Sequence, residues 1–239
     1  MQTRHIHEHL LSPTRSLLLA LLLLVPCAAA ISQEELPPPA DSVEYSPGDH
    51  ELFLMPTAYT MNEGDAYFSD YELFFLNFTY APTSRTHVGV MTLFPITNDF
   101  VETVTLGLKQ NYVRTRNFEA ALWGSYTIKN SLYSIGSVFS VGRRSLSLHM
   151  ACSLTGEAKE SNNMLLLLVG ARADISRKLC GIVEYTNAKE LLDQDFNGLI
   201  SIGLRFRGES TSWELAGIRP LERTGDFLFL PFLKATFLF

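Results

Sequence analysis

The stretch FLFLPFLKATFLF, residues 227–239, decides how the chain is read. Read back two at a time, it sets Phe239, Phe237, Ala235, Leu233, Pro231, Phe229 and Phe227 on one side, with Lys234 and Thr236 on the other. Successive side chains of a strand point to opposite faces, so the pattern predicts a strand with one apolar and one partly polar face. The same division recurs upstream. Within 145–155, Leu146, Leu148, Met150, Cys152 and Leu154 oppose Ser145, Ser147, His149, Ala151, Ser153 and Thr155. A helix would scatter both sets around its circumference. Stretches 104–111, 118–128, 165–175 and 200–207 repeat the alternation. In the last, Ile200, Ile202, Leu204 and Phe206 oppose Ser201, Gly203, Arg205 and Arg207.

The periodicity predicts about twelve strands, with ten the alternative count, each near the ~10 residues that a tilted membrane strand requires. The expected spans are 51–60, 65–81, 87–95, 101–114, 117–128, 132–142, 145–155, 163–175, 178–187, 198–208, 212–219 and 227–239. Pro56 interrupts the first. Connections alternate in kind. PTSRT (82–86), RTRN (114–117), GRRS (142–145), SRK (176–178) and RGEST (207–211) are short and all hold Arg. MNEGD (61–65), PITNDFVE (95–102), TIKNS (127–131), TGEAKESNN (155–163), NAKELLDQDFN (187–197) and RPLERTGDF (219–227) are mostly longer, and all but TIKNS are acidic. A soluble protein has no reason to sort length and charge this way. An up-and-down barrel in a membrane does, with short inner turns and longer outer loops. The fold class expected is therefore all-β, an antiparallel transmembrane β-barrel with its apolar faces toward lipid. Aromatics near the strand ends, among them Tyr80, Phe94, Tyr112, Tyr126, Tyr185 and Trp213, fit interfacial girdles.

The amino terminus agrees about compartment. Residues 1–15 are polar, with Arg4 and Arg15; Ser16 to Pro26 is a short apolar core; Ala28-Ala29-Ala30 offers a cleavage site. This is the pattern of a secretory signal peptide over 1–30, too short for a spanning helix. Lipidation at Cys27 is the alternative, disfavoured by Pro26 before it. Residues 31–50 are polar and Pro-rich, which predicts a periplasmic linker, leaving 51–239 for the barrel. Composition alone misleads: 46% hydrophobic, 18% charged and a net charge of −6 also describe a soluble enzyme. There is no basic face for nucleic acid and no phosphate-loop glycine pattern. Cys152 and Cys180 fall on non-neighbouring strands and opposite faces, which predicts free thiols.

The terminal FLKATFLF, the signal-like leader and the strand GLISIGLRF followed by SWELAGI resemble small bacterial outer-membrane β-barrel proteins of the porin-like kind. The resemblance covers residues 50–239 and is one of pattern. It implies residence in the bacterial outer membrane, in contact with its lipid and lipopolysaccharide. It also implies assembly by the barrel-insertion machinery, which reads an aromatic-ended last strand; Phe237 and Phe239 would carry that signal.

On this reading the inward ionisable residues are Lys109, Glu119, Arg172, Asp174, Glu184, Arg205, Arg207, Glu214 and Lys234. Unpaired burial of charge is costly, so they either pair into a plug or line a wet channel that selects solutes. The preferred function is passive passage or binding of a small polar solute, with Arg205 and Arg207 contacting anions. The alternative is a non-conducting structural or interaction barrel with acidic outer loops. Asp193, Asp195 and Asn197 match the first half of a calcium loop, but the twelfth position is Leu204 in place of Glu, so an acidic turn is the simpler reading. A third reading is a membrane lipid hydrolase. Ser147, His149 and Ser153 share a polar face, yet same-face neighbours on a strand lie about 7 Å apart, too far for a nucleophile–base bond. No cofactor and no enzymatic activity are expected.

Overall fold

The computed structural model describes residues 45–94, 98–129, 131–158, 163–187, 198–221 and 229–239. Twelve strands form one closed antiparallel barrel. They are β1 (Ala66–Tyr71), β2 (Phe75–Thr83), β3 (Thr86–Leu93), β4 (Thr105–Arg114), β5 (Phe118–Thr127), β6 (Leu132–Arg143), β7 (Leu146–Glu157), β8 (Asn163–Ser176), β9 (Leu179–Asn187), β10 (Leu199–Arg207), β11 (Thr211–Pro220) and β12 (Leu230–Leu238). A 3-10 turn, Asn98–Thr103, precedes β4. Each strand pairs with its sequence neighbours, and β12 closes on β1. Phe68 lies opposite Phe237 there, and the Phe239 amide donates to the Ala66 carbonyl at 2.8 Å. The aromatic terminus thus completes the ladder and leaves no unpaired edge.

Side-chain exposure shows which face of the alternating strands turns outward. On β7, Leu146 and Leu148 are 66% and 63% exposed, whereas Ser147 and His149 are 2% exposed. The outward set continues around the wall through Leu106, Ile135, Val169, Ile202, Phe206, Trp213 and Leu215. An exposed apolar surface that encircles a protein far exceeds the few hundred Å² found on water-soluble monomers. Hydrocarbon is its solvent, and closure pairs each strand on both sides, leaving no open edge within it.

Two expected strands differ. Residues 51–60 are not in the wall, and 65–81 is a hairpin, β1 and β2, rather than one strand. The chain turns at Glu72 and Leu73, both with positive φ (59° and 63°), and the Phe74 amide closes the turn on the Tyr71 carbonyl at 3.0 Å. This is the primed turn that matches strand twist, normally built from Asn or Gly. Glu72 and Leu73 give no such signal, and no Gly, Pro or Asn stands anywhere between Ala66 and Leu76. The total of twelve therefore holds while its first two members change. MNEGD (61–65) leads into β1 at the barrel end that carries the short turns. The expected leader (1–30), Cys27, residues 31–44 and the calcium-loop candidates Asp193, Asp195 and Asn197 lie outside the described residues.

Candidate functional site

The lumen is occupied by the chain itself. Residues 45–61, expected as the end of a linker followed by a strand, rise into the barrel as a tight hairpin and return to β1. Its approach is a turn in which the Asp49 amide donates to the Ser46 carbonyl at 3.0 Å. Gly48 has φ +87°, and a Cβ there would sit about 3.0–3.1 Å from Ser212 and Arg205 side chains, so glycine suits both the bend and the wall. The hairpin pairs Glu51 with Pro56. The Leu52 amide donates to the Met55 carbonyl at 2.8 Å, and the Thr57 amide to the His50 carbonyl at 3.0 Å. Phe53 and Leu54 form the tip.

The barrel's inward charges meet this hairpin largely through its main chain. Lys109 donates from Nζ to the carbonyls of His50 (3.0 Å), Thr57 (3.2 Å) and Tyr59 (2.8 Å). Lys234 donates to those of Leu52 (2.8 Å) and Phe53 (3.2 Å). Arg205 reaches those of Glu51 (2.7 Å) and Leu52 (2.9 Å). Glu184 accepts the amides of Phe53 (2.6 Å), Leu54 (3.2 Å) and Met55 (3.2 Å). Sequence reasoning did not name three further partners. Asn111 donates to the Ala58 carbonyl at 2.9 Å, the Ala58 amide donates to Ser140 Oγ at 2.9 Å, and the Met61 amide donates to His87 Nε2 at 2.8 Å.

Side chains add pairing. Arg172 and Asp49 form an ion pair at 2.5 Å, both essentially buried. Glu214 joins Arg205 (2.9 Å) and Lys234 (3.0 Å), and Lys234 also lies 3.2 Å from Glu51. Tyr71 donates to Glu51 at 2.7 Å. Arg144, in the β6–β7 turn, packs over the rings of Tyr45 and Tyr59, 5.6 and 5.2 Å from their centroids. Toward the β8–β9 turn Arg207 pairs with Asp174 at 2.6 Å, and Asp174 in turn lies 3.7 Å from Arg172. Glu119 receives Asn111 Nδ2 at 2.8 Å and lies 3.5 Å from Arg114.

Burial tunes the hairpin's own titratable groups. Burial raises the Asp49 carboxyl, but Arg172 and then Arg144 outweigh it and leave it below its ordinary range. His50 is lowered to about 4 by burial, against the pull of Glu51. Neutral His50 donates from Nε2 to Glu51 at 2.9 Å and accepts the Tyr45 hydroxyl at Nδ1, also 2.9 Å, the tautomer that satisfies both.

Part of the lumen is apolar. Leu52, Phe53 and Met55 pack with Leu168, Ile182, Ala216 and Phe232 in one buried cluster. Phe53 meets Phe232 edge-on at 6.2 Å. A Cβ on Gly170 would lie 2.4 Å from Leu52, so this glycine makes room for the hairpin. These wall residues share strand faces with Arg172, Glu184, Glu214 and Lys234, and that parity was the signal available in the sequence.

The distance expected to separate Ser147 from His149 is corrected. Ser147 Oγ lies 2.9 Å from His149 Nε2, and Ser140 Oγ lies 2.7 Å from Nδ1. The Cα spacing of same-face neighbours stands, but the imidazole spans it by leaning along the strand. The set is buried under Tyr59, whose ring meets His149 edge-on at 5.5 Å. Cys152 and Cys180 are free thiols.

No family model matches the chain, and no curated protein matches it. Solved structures of similar shape do exist. Omp33 of Acinetobacter baumannii is 9% identical with a TM-score of 0.46, covering 73% of this chain and 96% of its own. A triple mutant of the Rhodopseudomonas blastica porin is 9% identical with a TM-score of 0.39; 69% of this chain is covered, spanning only 55% of the porin. LpxR from Salmonella typhimurium is 11% identical with a TM-score of 0.39, covering 74% and 99%. At these values the barrel assignment rests on the chain's own strand pairing and outward apolar wall.

Proposed function

We propose that the protein is a bacterial outer-membrane barrel of porin-like architecture whose lumen is shut by residues 45–61, and that small polar solutes pass only when this hairpin is displaced. One observation carries the reading: Lys109, Lys234, Arg205 and Glu184, the charges that would attract a solute, spend their hydrogen bonds on the hairpin's backbone. The outward apolar wall and the aromatic-ended closing strand support residence in an outer membrane, reached with a leader and the barrel-insertion machinery. The reading assigns no catalysis. The Ser140–His149–Ser147 set is buried and its imidazole is held by hydroxyls at both nitrogens, with no carboxylate at either in these bonds. The test is single-channel recording in planar bilayers. Full-length protein should be nearly silent, and protein cut in the 62–65 link after folding should show discrete openings once the freed segment is washed away. Large, steady openings of the uncut protein would refute closure.

A further inference from the structure

We infer that the lumen is a peptide receptor: its charged groups recognise consecutive main-chain groups of a turn, and it binds such a turn supplied by a separate peptide. The inference rests on the closure reading and names the ligand class that the same site takes.

The contacts define the chemistry. Glu184 collects the amides of three successive residues, Phe53, Leu54 and Met55. Arg205 Nη2 bridges two successive carbonyls, those of Glu51 and Leu52, and Lys234 takes the next overlapping pair, Leu52 and Phe53. Donors facing adjacent carbonyls and an acceptor facing adjacent amides match a polypeptide turn. A sugar has no N–H groups at that spacing, and a simple ion has no backbone at all. Main-chain groups occur in every peptide, so this recognition does not depend on sequence.

Selectivity comes from the wall beside the tip. Leu168, Ile182, Ala216 and Phe232 surround Leu52, Phe53 and Met55, and Gly170 leaves space for Leu52. The preferred occupant is therefore a turn with apolar residues at its apex. An acidic residue before it would meet Arg172, as Asp49 does. The cationic groups are held in place by Glu214, which contacts both Arg205 and Lys234, so the receptor geometry is built into the wall. A wall already aimed at a peptide loses little in ordering when one arrives.

The test uses the full chain carrying a protease site in the 62–65 link. Gly64 there has open space around it, and Asn62 and Glu63 are exposed. After folding in detergent, the link is cut and the protein is incubated with a fluorescent synthetic peptide of residues 45–61. Saturable exchange of the cut segment for the labelled peptide is expected; tight retention of the cut segment through size exclusion counts equally, since it is a peptide held without a covalent link. A peptide N-methylated at Phe53 and Leu54 loses two amides that face Glu184 and should bind roughly ten- to a hundredfold more weakly. The inference is overturned if the segment leaves and no peptide binds while the barrel keeps its heat-resistant gel mobility, or if N-methylation changes nothing. Conductance separates the two readings. Opening on cutting without peptide binding leaves closure standing and removes the receptor; a barrel that stays silent after its cut segment has left removes closure.

Discussion

The Glu184 carboxylate accepts the Phe53 amide at 2.6 Å across 131 residues of sequence. The bond joins strand β9 to the tip of a hairpin that sequence periodicity places in the wall. It shows how the barrel closes itself: a charge on the inner face meets the unpaired amides of a turn, each the partner that the other needs when buried.

Glu184→Gln keeps the shape but removes the charge from a cluster of amides. Hydrogen bonds to charged groups contribute about 1.5–3 kcal/mol, so the tip should loosen by that order. Brief openings should appear in bilayer recordings while the barrel's gel mobility is unchanged. Unaltered silence would show that the tip is held by its apolar contacts alone.

Arg172→Met leaves Asp49 with only the more distant cation Arg144, 3.7 Å away. Removing one partner of a buried pair costs on the order of 3–5 kcal/mol, and removing both costs far less. Urea midpoints should fall for the single variant and recover in Arg172→Met with Asp49→Leu. Equal losses in the two would argue against a direct coupling.

Gly170→Val places carbon where Leu52 lies, 2.4 Å from the new Cβ. Overpacking of this kind costs about 1–3 kcal/mol, and the hairpin can yield more easily than the wall. Raised conductance in a fully folded barrel is the expected result. Misfolding of the barrel itself would mean that the wall gives first.

Leu148→Arg tests the outer surface. Leu148 points outward from β7 two residues after the strand begins, and a lipid-facing Arg costs up to about 2–4 kcal/mol, the full amount at the midplane and less toward an interface. Unfolding in lipid vesicles should shift by this order, whereas Leu148→Ile should shift little. Equal stability for both would place this face outside the hydrocarbon.

Acid should release the hairpin. His50 is lowered from 6.5 to about 4, so its contribution is complete above pH 6.5 and is lost as pH falls toward 4. Asp49 is also lowered, and its contribution is lost at still more acid pH as it protonates through its depressed value. Both shifts carry the same sign. Facing His50 are Glu51, Tyr45, Tyr67, Lys109 and Lys234, and the two lysines repel the protonated ring. Openings should therefore increase from pH 6.5 to 4, and His50→Gln should flatten the upper part of that rise. An unchanged closed state across this range would count against it.

How much was legible varies by element. Strands β3 to β12 follow from alternation, because lipid on one side and a filled interior on the other enforce period two along most of the wall, with bulges only near Asn111 and Asp174 in these strands as described. The short Arg-bearing turns were legible for the same reason. The β1–β2 turn was not, because Glu72 and Leu73 adopt positive φ without the residues that normally announce it. The hairpin at 50–57 was not, because HELFLMPT holds an apolar run, Leu52 to Met55, of the kind a buried strand also shows, and only Pro56 objects. The inward charges could be enumerated by parity. Their partners could not, since Lys109 meets Tyr59 and Lys234 meets Phe53 through carbonyls that every residue possesses.

Taken alone, the order of residues pointed to a barrel with its apolar face toward lipid. It did so through the number of alternating strands, the Gly, Ser, Thr and charge on their polar faces and the aromatics at their ends, whereas alternation by itself fits either face inward. Only the tertiary structure decided that the lumen is full. Main-chain hydrogen bonds between distant segments leave no mark in side-chain pattern, and they become visible only when the wall is closed around its own amino-terminal hairpin.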